Sequence, residues 1–262
     1  MTNRQEKHWQ KLFGHLGAEG NPWYGIWTVY SPTREIMKSS NGIRILRANS
    51  DKTMITHTNQ FPLPDGTTQE KQWQINKETC NLPDGLSHPA DTSKRGIALQ
   101  GEGSSAWVPK TLETGRNFSV ELFLKYEDWN TSIGSIYNEQ GSLEKILYLR
   151  EHFGSFPDSL TEAETVDLSG KWKGTTESIT PDLEVSPVAE IDELVLDPTG
   201  GKNETFFLPQ VVVNIPKTLE IGAEFEIIAG KLVTANQYQR LRAKYDKSGH
   251  FALLTSEIFC RE

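Results

Sequence analysis

The side chains best placed to do chemistry in this 262-residue chain are cations and aromatics on alternating stretches. In YQRLRAKYD, Arg240, Arg242 and Lys244 fall on one face of an extended segment, and Leu241, Ala243 and Tyr245 on the other. Such a row offers fork-shaped donors suited to a carboxylate or propionate group; the competing reading is a solvated outer face. GIRILR repeats the idea, with Arg44 and Leu46 on one side and Ile43, Ile45 and Arg47 on the other. His57 in TMITHTNQF shares a face with Ile55, Asn59 and Phe61. Pointing inward, its imidazole would bind a ligand or move a proton; the alternative is a satisfied polar group on the sheet surface. Trp73 in EKQWQIN and Trp107 in SAWVPK either line a ligand cavity or simply pack a core. The ligand-binding candidates are therefore Arg44, His57, Trp73, Trp107, Arg240 and Arg242.

Other chemistries find no sequence support. There is no G-x-x-x-x-G-K-[ST], H-E-x-x-H or G-x-S-x-G, and Gly101-Glu102-Gly103 is a lone G-x-G that reads as a turn. Cys80 and Cys260 lie far apart in no ligand array and read as two buried free thiols. Glu70, Glu121 and Asp128 are carboxylates able to act as acids or bases, but spacing places no two of them within reach. No catalytic residue, metal site or cofactor is assigned. With 27 Lys plus Arg against 35 Asp plus Glu the net charge is −8, without a basic run, which disfavours nucleic acid. No apolar stretch is long enough to span a bilayer or form a signal-peptide core, so a soluble, cytoplasmic protein is expected. The N-x-S/T triplets at Asn117, Asn130 and Asn203 then read as coincidence. Oligomeric state is not legible.

These residues must be positioned by strands. The first seventeen residues predict one helix, with Trp9, Leu12, Phe13 and Leu16 on one face, Thr2 or Asn3 as its cap, and Gly14 and Gly17 weakening its end. His8 and His15, two turns apart on it, read as surface or capping groups. Beyond Pro22 come short runs rich in Ile, Val, Thr and aromatics, punctuated by PDG at Pro64–Gly66 and Pro83–Gly85. No long helical span interrupts them, which argues antiparallel pairing. The polar stretch SFPDSLTEAETVD reads as a linker, after which strand patterning resumes, with ETFFLPQVVVNI as one run.

A weak internal duplication organises the whole. Gly25-Ile26-Trp27 opens the first strand of the amino-terminal half and Gly170-Lys171-Trp172 that of the carboxy-terminal half. Tyr137-Asn138-x-x-Gly141 precedes a last strand ending at Arg150, and Tyr245-Asp246-x-x-Gly249 one ending at Arg261. Closing an antiparallel barrel brings its first and last strands together. An arginine of the last strand can then lie across the tryptophan of the first, with the glycine allowing close approach. This pairs Trp27 with Arg150 and Trp172 with Arg261; the competing reading is ordinary core aromatics and surface arginines.

G-x-W on a first strand with an arginine ending the final one is similar to the lipocalin signature of the calycin superfamily. NPWYGIWTVYSPTREIMKSSNGIRILR, followed by THTNQFPLPDGTTQEKQWQIN, resembles an uncharacterised lipocalin-like family found mainly in cyanobacteria, and the likeness extends over most of the chain. Other calycins of photosynthetic organisms include lyases that attach bilin chromophores. The resemblance implies one or two barrels able to hold a hydrophobic or tetrapyrrole-like ligand. The expectation is an all-β protein of two tandem antiparallel lipocalin-like barrels behind a short N-terminal helix: 1–154, a linker at 155–168, and 169–262. The second barrel is short for its type and so open or flattened, its edge needing cover from the first. Three functions follow from this reading: a binding protein for a small hydrophobic molecule, a chromophore lyase or isomerase acting on a bilin-like ligand, or an interaction module with filled barrels.

Overall fold

Helix α1 (Asn3–Phe13) begins at a reciprocal cap, in which the Thr2 hydroxyl accepts from the Gln5 amide at 3.3 Å and the Gln5 side chain accepts from the Thr2 amide at 2.7 Å. Its apolar face buries Trp9 and Phe13, with Leu16 just beyond. These pack against Ile55, Ile75 and Leu86, so the helix closes one end of the sheet that follows. His8 is buried rather than at the surface: its Nε2 accepts the Ala98 amide proton at 3.0 Å, tying helix to sheet. The computed structural model describes residues 2–99, 104–158 and 166–262. Gly101-Glu102-Gly103 and the centre of the linker lie outside the described residues.

Among the described residues the protein is all-β apart from α1 and one further turn, α2 (Lys77–Cys80). The first sheet comprises β1 (Asn21–Tyr30), β2 (Ile36–Ala48), β3 (Met54–Pro62), β4 (Thr68–Asn76), β5 (Asn81–Leu82), β6 (Gly85–His88), β7 (Asp91–Ala98), β8 (Ser105–Pro109), β9 (Phe118–Tyr126), β10 (Trp129–Tyr137) and β11 (Leu143–Phe153). They form an antiparallel order β4-β3-β2-β1-β11-β10-β9-β8-β7-β6-β5, whose two edge strands are connected in sequence by α2. The sheet is thus a nearly closed barrel, with α1 over the gap. The sequence pattern misses β5, β6 and α2, which are too short to show a period.

The second sheet has seven strands: β12 (Trp172–Ile179), β13 (Ala189–Ile191), β14 (Glu204–Leu208), β15 (Val211–Ile215), β16 (Phe225–Thr234), β17 (Gln237–Tyr245) and β18 (Phe251–Arg261), in the order β13-β12-β18-β17-β16-β15-β14. ETFFLPQVVVNI is two strands, because Gln210 turns the chain at φ 63°. One face of this sheet lies on the outside of the first. Val120, Leu122, Ile133 and Ile146 share a single core with Val213, Ile227, Ala229 and Leu241. Val120 and Leu122 of β9 and Ile133 of β10 therefore point out of the barrel, and the alternates Phe123, Lys125 and Asn130 point in.

The duplication is visible as a reciprocal clasp. The turn at Asn138–Gly141 seats against Leu219, which donates its amide to the Gly141 carbonyl at 2.8 Å, and the turn at Asp246–Gly249 receives Leu112 with the same bond and length. Tyr137 donates to the Pro216 carbonyl at 2.9 Å and Tyr245 to the Pro109 carbonyl at 3.0 Å. The receiving segments are themselves copies, Pro109-Lys-Thr-Leu-Glu-Thr-Gly115 and Pro216-Lys-Thr-Leu-Glu-Ile-Gly222. Each half completes a turn of the other.

The indole–guanidinium pairs differ between the halves. Trp172 lies directly opposite Arg261 on neighbouring strands, and the guanidinium sits 4.8 Å from its ring. Trp27 instead lies opposite Leu149, and Arg150 opposite Ile26, so the register turns Trp27 into the barrel and Arg150 outside it. Arg150 stacks at 4.6 Å on Trp129, and Trp27 takes Arg44 at 5.6 Å in its place. Glycine beside Trp27 has the expected role: a Cβ on Gly25 would stand 2.9 Å from the indole nitrogen, and one on Gly42 2.8 Å from the ring. Gly170 meets no such ring and serves a left-handed backbone at φ 90°. Of the thiols, Cys80 is half-buried and Cys260 exposed, so the expectation of two buried cysteines fails.

Candidate functional site

The barrel encloses a cavity of about 380 Å³ beneath α1. Its wall draws on β1, β2, β3, β4, β6, β7, β8, β9 and β10, with α1 above. Trp23, Trp107 and Phe123 supply aromatic surface, and Leu46 and Leu86 aliphatic surface. Arg44, His57, Lys11 and Lys125 supply the charged and titratable groups. Among the sequence candidates, Arg44, His57 and Trp107 line this one cavity. Trp73 stands behind them, its ring 5.1 Å from His57 and 6.3 Å from His88, which in turn meets Trp107 at 4.7 Å. Imidazoles and indoles thus alternate in one row, of which His57 and Trp107 face the lumen.

Arg44 is the electrostatic centre. Its Nε lies 3.3 Å from the Glu151 carboxyl and an Nη lies 3.7 Å from Glu121, while its guanidinium stands 5.3 Å from the Phe123 ring. Glu151 is completely buried and receives the Asn130 amide at 2.7 Å. Burial holds its pKa above the ordinary carboxylate value, against the opposing pull of Arg44 and Asn130. Glu121 receives the Ser132 hydroxyl at 2.8 Å. His57 is pushed down to about 3, first by burial and then by Arg44, so its imidazole is neutral and engages Asn59 at 3.0 Å. Burial likewise lowers His15 and Lys11 at the rim, where neighbouring cations add to the effect on His15 and Glu177 opposes it on Lys11. Lys125 lies over the Trp23 ring at 5.5 Å with no ion pair among the described residues.

Arg240 and Arg242 lie elsewhere, on the far face of the second sheet. Arg240 is 4% exposed and bonds Glu257 and the Val195 carbonyl. Arg242 bridges Glu226 at 2.7 Å and Glu257 at 3.1 Å. Burial opposes the charge on Arg242, but the two carboxylates outweigh it and raise its pKa. Both cations are already neutralised within the chain. Sequence reasoning missed Glu151, Lys125, Trp23 and Lys11. The signal was present in FSVELFLKY, whose polar alternates Glu121 and Lys125 share a face with Phe123. It is misleading without the second sheet, because apolar residues normally mark the inside. Among the described residues no cluster of three potential ligands can hold a metal ion, and no helix is long and apolar enough to cross a membrane.

Residues 5–156 match the model for the N-terminal region of DUF3598, a domain of unknown function. A crystal structure of a DUF3598 protein of unknown function from Nostoc punctiforme PCC 73102 superimposes with a TM-score of 0.72 at 17% identity, covering 100% of both chains. It supports the fold from end to end. A putative AttH from Nitrosomonas europaea covers 99% of this chain and 96% of its own at 8% identity, but its TM-score of 0.27 carries no structural argument. No curated protein matches the chain. With the family model spanning more than half of its length, the chain belongs to the DUF3598 family.

Proposed function

We infer that the barrel is a lipocalin-like container for a small amphipathic anion, whose apolar or aromatic body occupies the lumen while its acid group meets Lys125 and Lys11. The carrying observation is the cavity of about 380 Å³ in which Trp23, Trp107 and Phe123 stand beside a lysine with no described counterion. Sites of this kind combine an apolar wall with a few placed polar groups. A long-chain carboxylic acid or a tetrapyrrole with propionate arms has the required chemistry. Arg44 is tied to two carboxylates, so it shapes the lumen floor and leaves the acid group to the rim lysines. In this reading the protein works in solution as a monomeric or oligomeric carrier.

The test is titration of the full chain with an anilinonaphthalene sulfonate probe, followed by competition with oleate and with biliverdin. Saturable one-to-one binding that quenches lumen tryptophans, weakened at least about tenfold by Lys125→Glu, supports the container. No saturable binding of any of the three, or binding indifferent to Lys125→Glu, overturns it.

A second reading, a lyase or isomerase acting on a bilin-like ligand, draws on Glu151. A completely buried carboxyl with a raised pKa beside a guanidinium is a proton store of the kind acid–base enzymes use. Conversion of bound biliverdin by the protein, lost in Glu151→Gln with binding retained, would favour it over simple carriage.

A further inference from the structure

The two sheets meet along a seam where a second cavity, of about 460 Å³, lies between the outer face of the barrel and β16. Its lining includes Trp129, Arg150, Lys231 and Thr234. Arg150 and Lys231 approach the same indole, the guanidinium at 4.6 Å and the ammonium at 5.5 Å from the Trp129 rings. Lys231 is only 6% exposed, and its Nζ donates to the fully buried Thr131 hydroxyl at 2.8 Å. One Arg150 Nη donates to the Asp158 carbonyl, but the Nε is buried without a hydrogen-bond partner. Among the described residues the partners of the two cations are the Trp129 ring, the Thr131 hydroxyl and the Asp158 carbonyl, with no carboxylate.

Two positive charges brought together out of water repel, and each has given up hydration. An indole face offsets part of that loss but carries no net charge. Among the described residues the more deeply buried arginines do have carboxylates: Arg44 has Glu151 and Glu121, Arg95 has Asp84, and Arg240 has Glu257. The seam is the exception, and it is also where a cavity stands. A guanidinium fork and an ammonium point charge are the donors that recognise a doubly charged oxyanion. We propose that the seam cavity binds a phosphate group, held between Lys231 and Arg150 against Trp129.

The experiment uses the full chain and two probes at constant ionic strength, inorganic phosphate and the ester glycerol 3-phosphate, with chloride as control. Thermal unfolding, tryptophan emission and phosphorus NMR line width are followed together. The expected result is a rise in Tm of about 2–4 °C at saturating phosphate, absent with chloride. Lys231→Met, which keeps the stem packed, and Arg150→Gln each weaken the response at least about tenfold. The comparison is with and without phosphate within each variant, and Arg150→Gln, on a half-buried side chain, stands if Lys231→Met does not fold. A response to glycerol 3-phosphate stronger than to free phosphate assigns the site to an ester, and the reverse assigns it to the free ion. No response to either probe overturns the proposal, as does an undiminished response in the double variant.

Discussion

The lumen of the first sheet and the far face of the second descend from the same repeated plan, yet they use their charged residues differently. In the lumen, Trp27 lies flat across Gly25 and Gly42, and a single arginine is balanced by two carboxylates beside an open space. On the far face, Trp172, Tyr238 and Phe259 pack with Leu168 and Leu194, and Arg240 and Arg242 are locked to Glu257 and Glu226. One face keeps a cavity because its strands curl until they nearly meet; the other stays open and must be covered by its own loop. The difference teaches that basic residues on a strand are no evidence for a ligand until their counterions are known.

The largest effect expected from breaking this contrast is on the filled face. Arg240→Met leaves Glu257 buried with only Arg242, and should cost about 3–5 kcal/mol in urea unfolding while leaving lumen probe binding unchanged. A loss of probe binding in a folded Arg240→Met protein would show that the two faces are coupled. Next comes acid. Burial pushes His8 down to about 4, so it stays neutral in the fold, while the unfolded chain takes a proton below about 6.5. The stability this gives is fully present above pH 6.5 and is lost as pH falls toward 4, about 3 kcal/mol in all. Unfolding free energies at pH 7.0 and 4.5 should therefore differ less in His8→Gln than in the parent protein.

A finer comparison uses the clasps. Gly141 and Gly249 both have φ 76°, so alanine at either carries a left-handed cost of about 1–2 kcal/mol. A Cβ on Gly141 would also stand 2.5 Å from the Leu219 carbonyl oxygen, against 3.1 Å from the Leu112 side chain at Gly249. Gly141→Ala should be the more destabilising in thermal melts; equal losses would mean the Leu219 segment can yield. The smallest stability effect belongs to Lys125→Ala, within about 0.5 kcal/mol, although it should weaken probe binding at least about tenfold.

Much of the fold was legible. The amphipathic stripe from Trp9 to Leu16, the alternating runs and the paired G-x-W signals locate α1 and most strands, because each buries one face and so shows its period. The short β5 and β6 carry no period, and Gln210 splits a run that contains no glycine. The site was harder. Arg44, His57 and Trp107 converge on one cavity because their strands alternate as read, whereas Arg240 and Arg242 share a pattern with Arg44 and differ only in their partners. Trp27 and Arg150 were separated by a single step of register, which no local pattern encodes. Glu151 was overlooked because an acidic residue ending a strand ordinarily meets water.

The reciprocal seating of the two turns has a consequence for biosynthesis. Tyr245 must reach back 136 residues to find the Pro109 carbonyl, so the amino-terminal barrel leaves the ribosome with a docking place still vacant. Its outer apolar wall is covered by β15 to β18, so a chain stopped before those strands would present that wall to solvent.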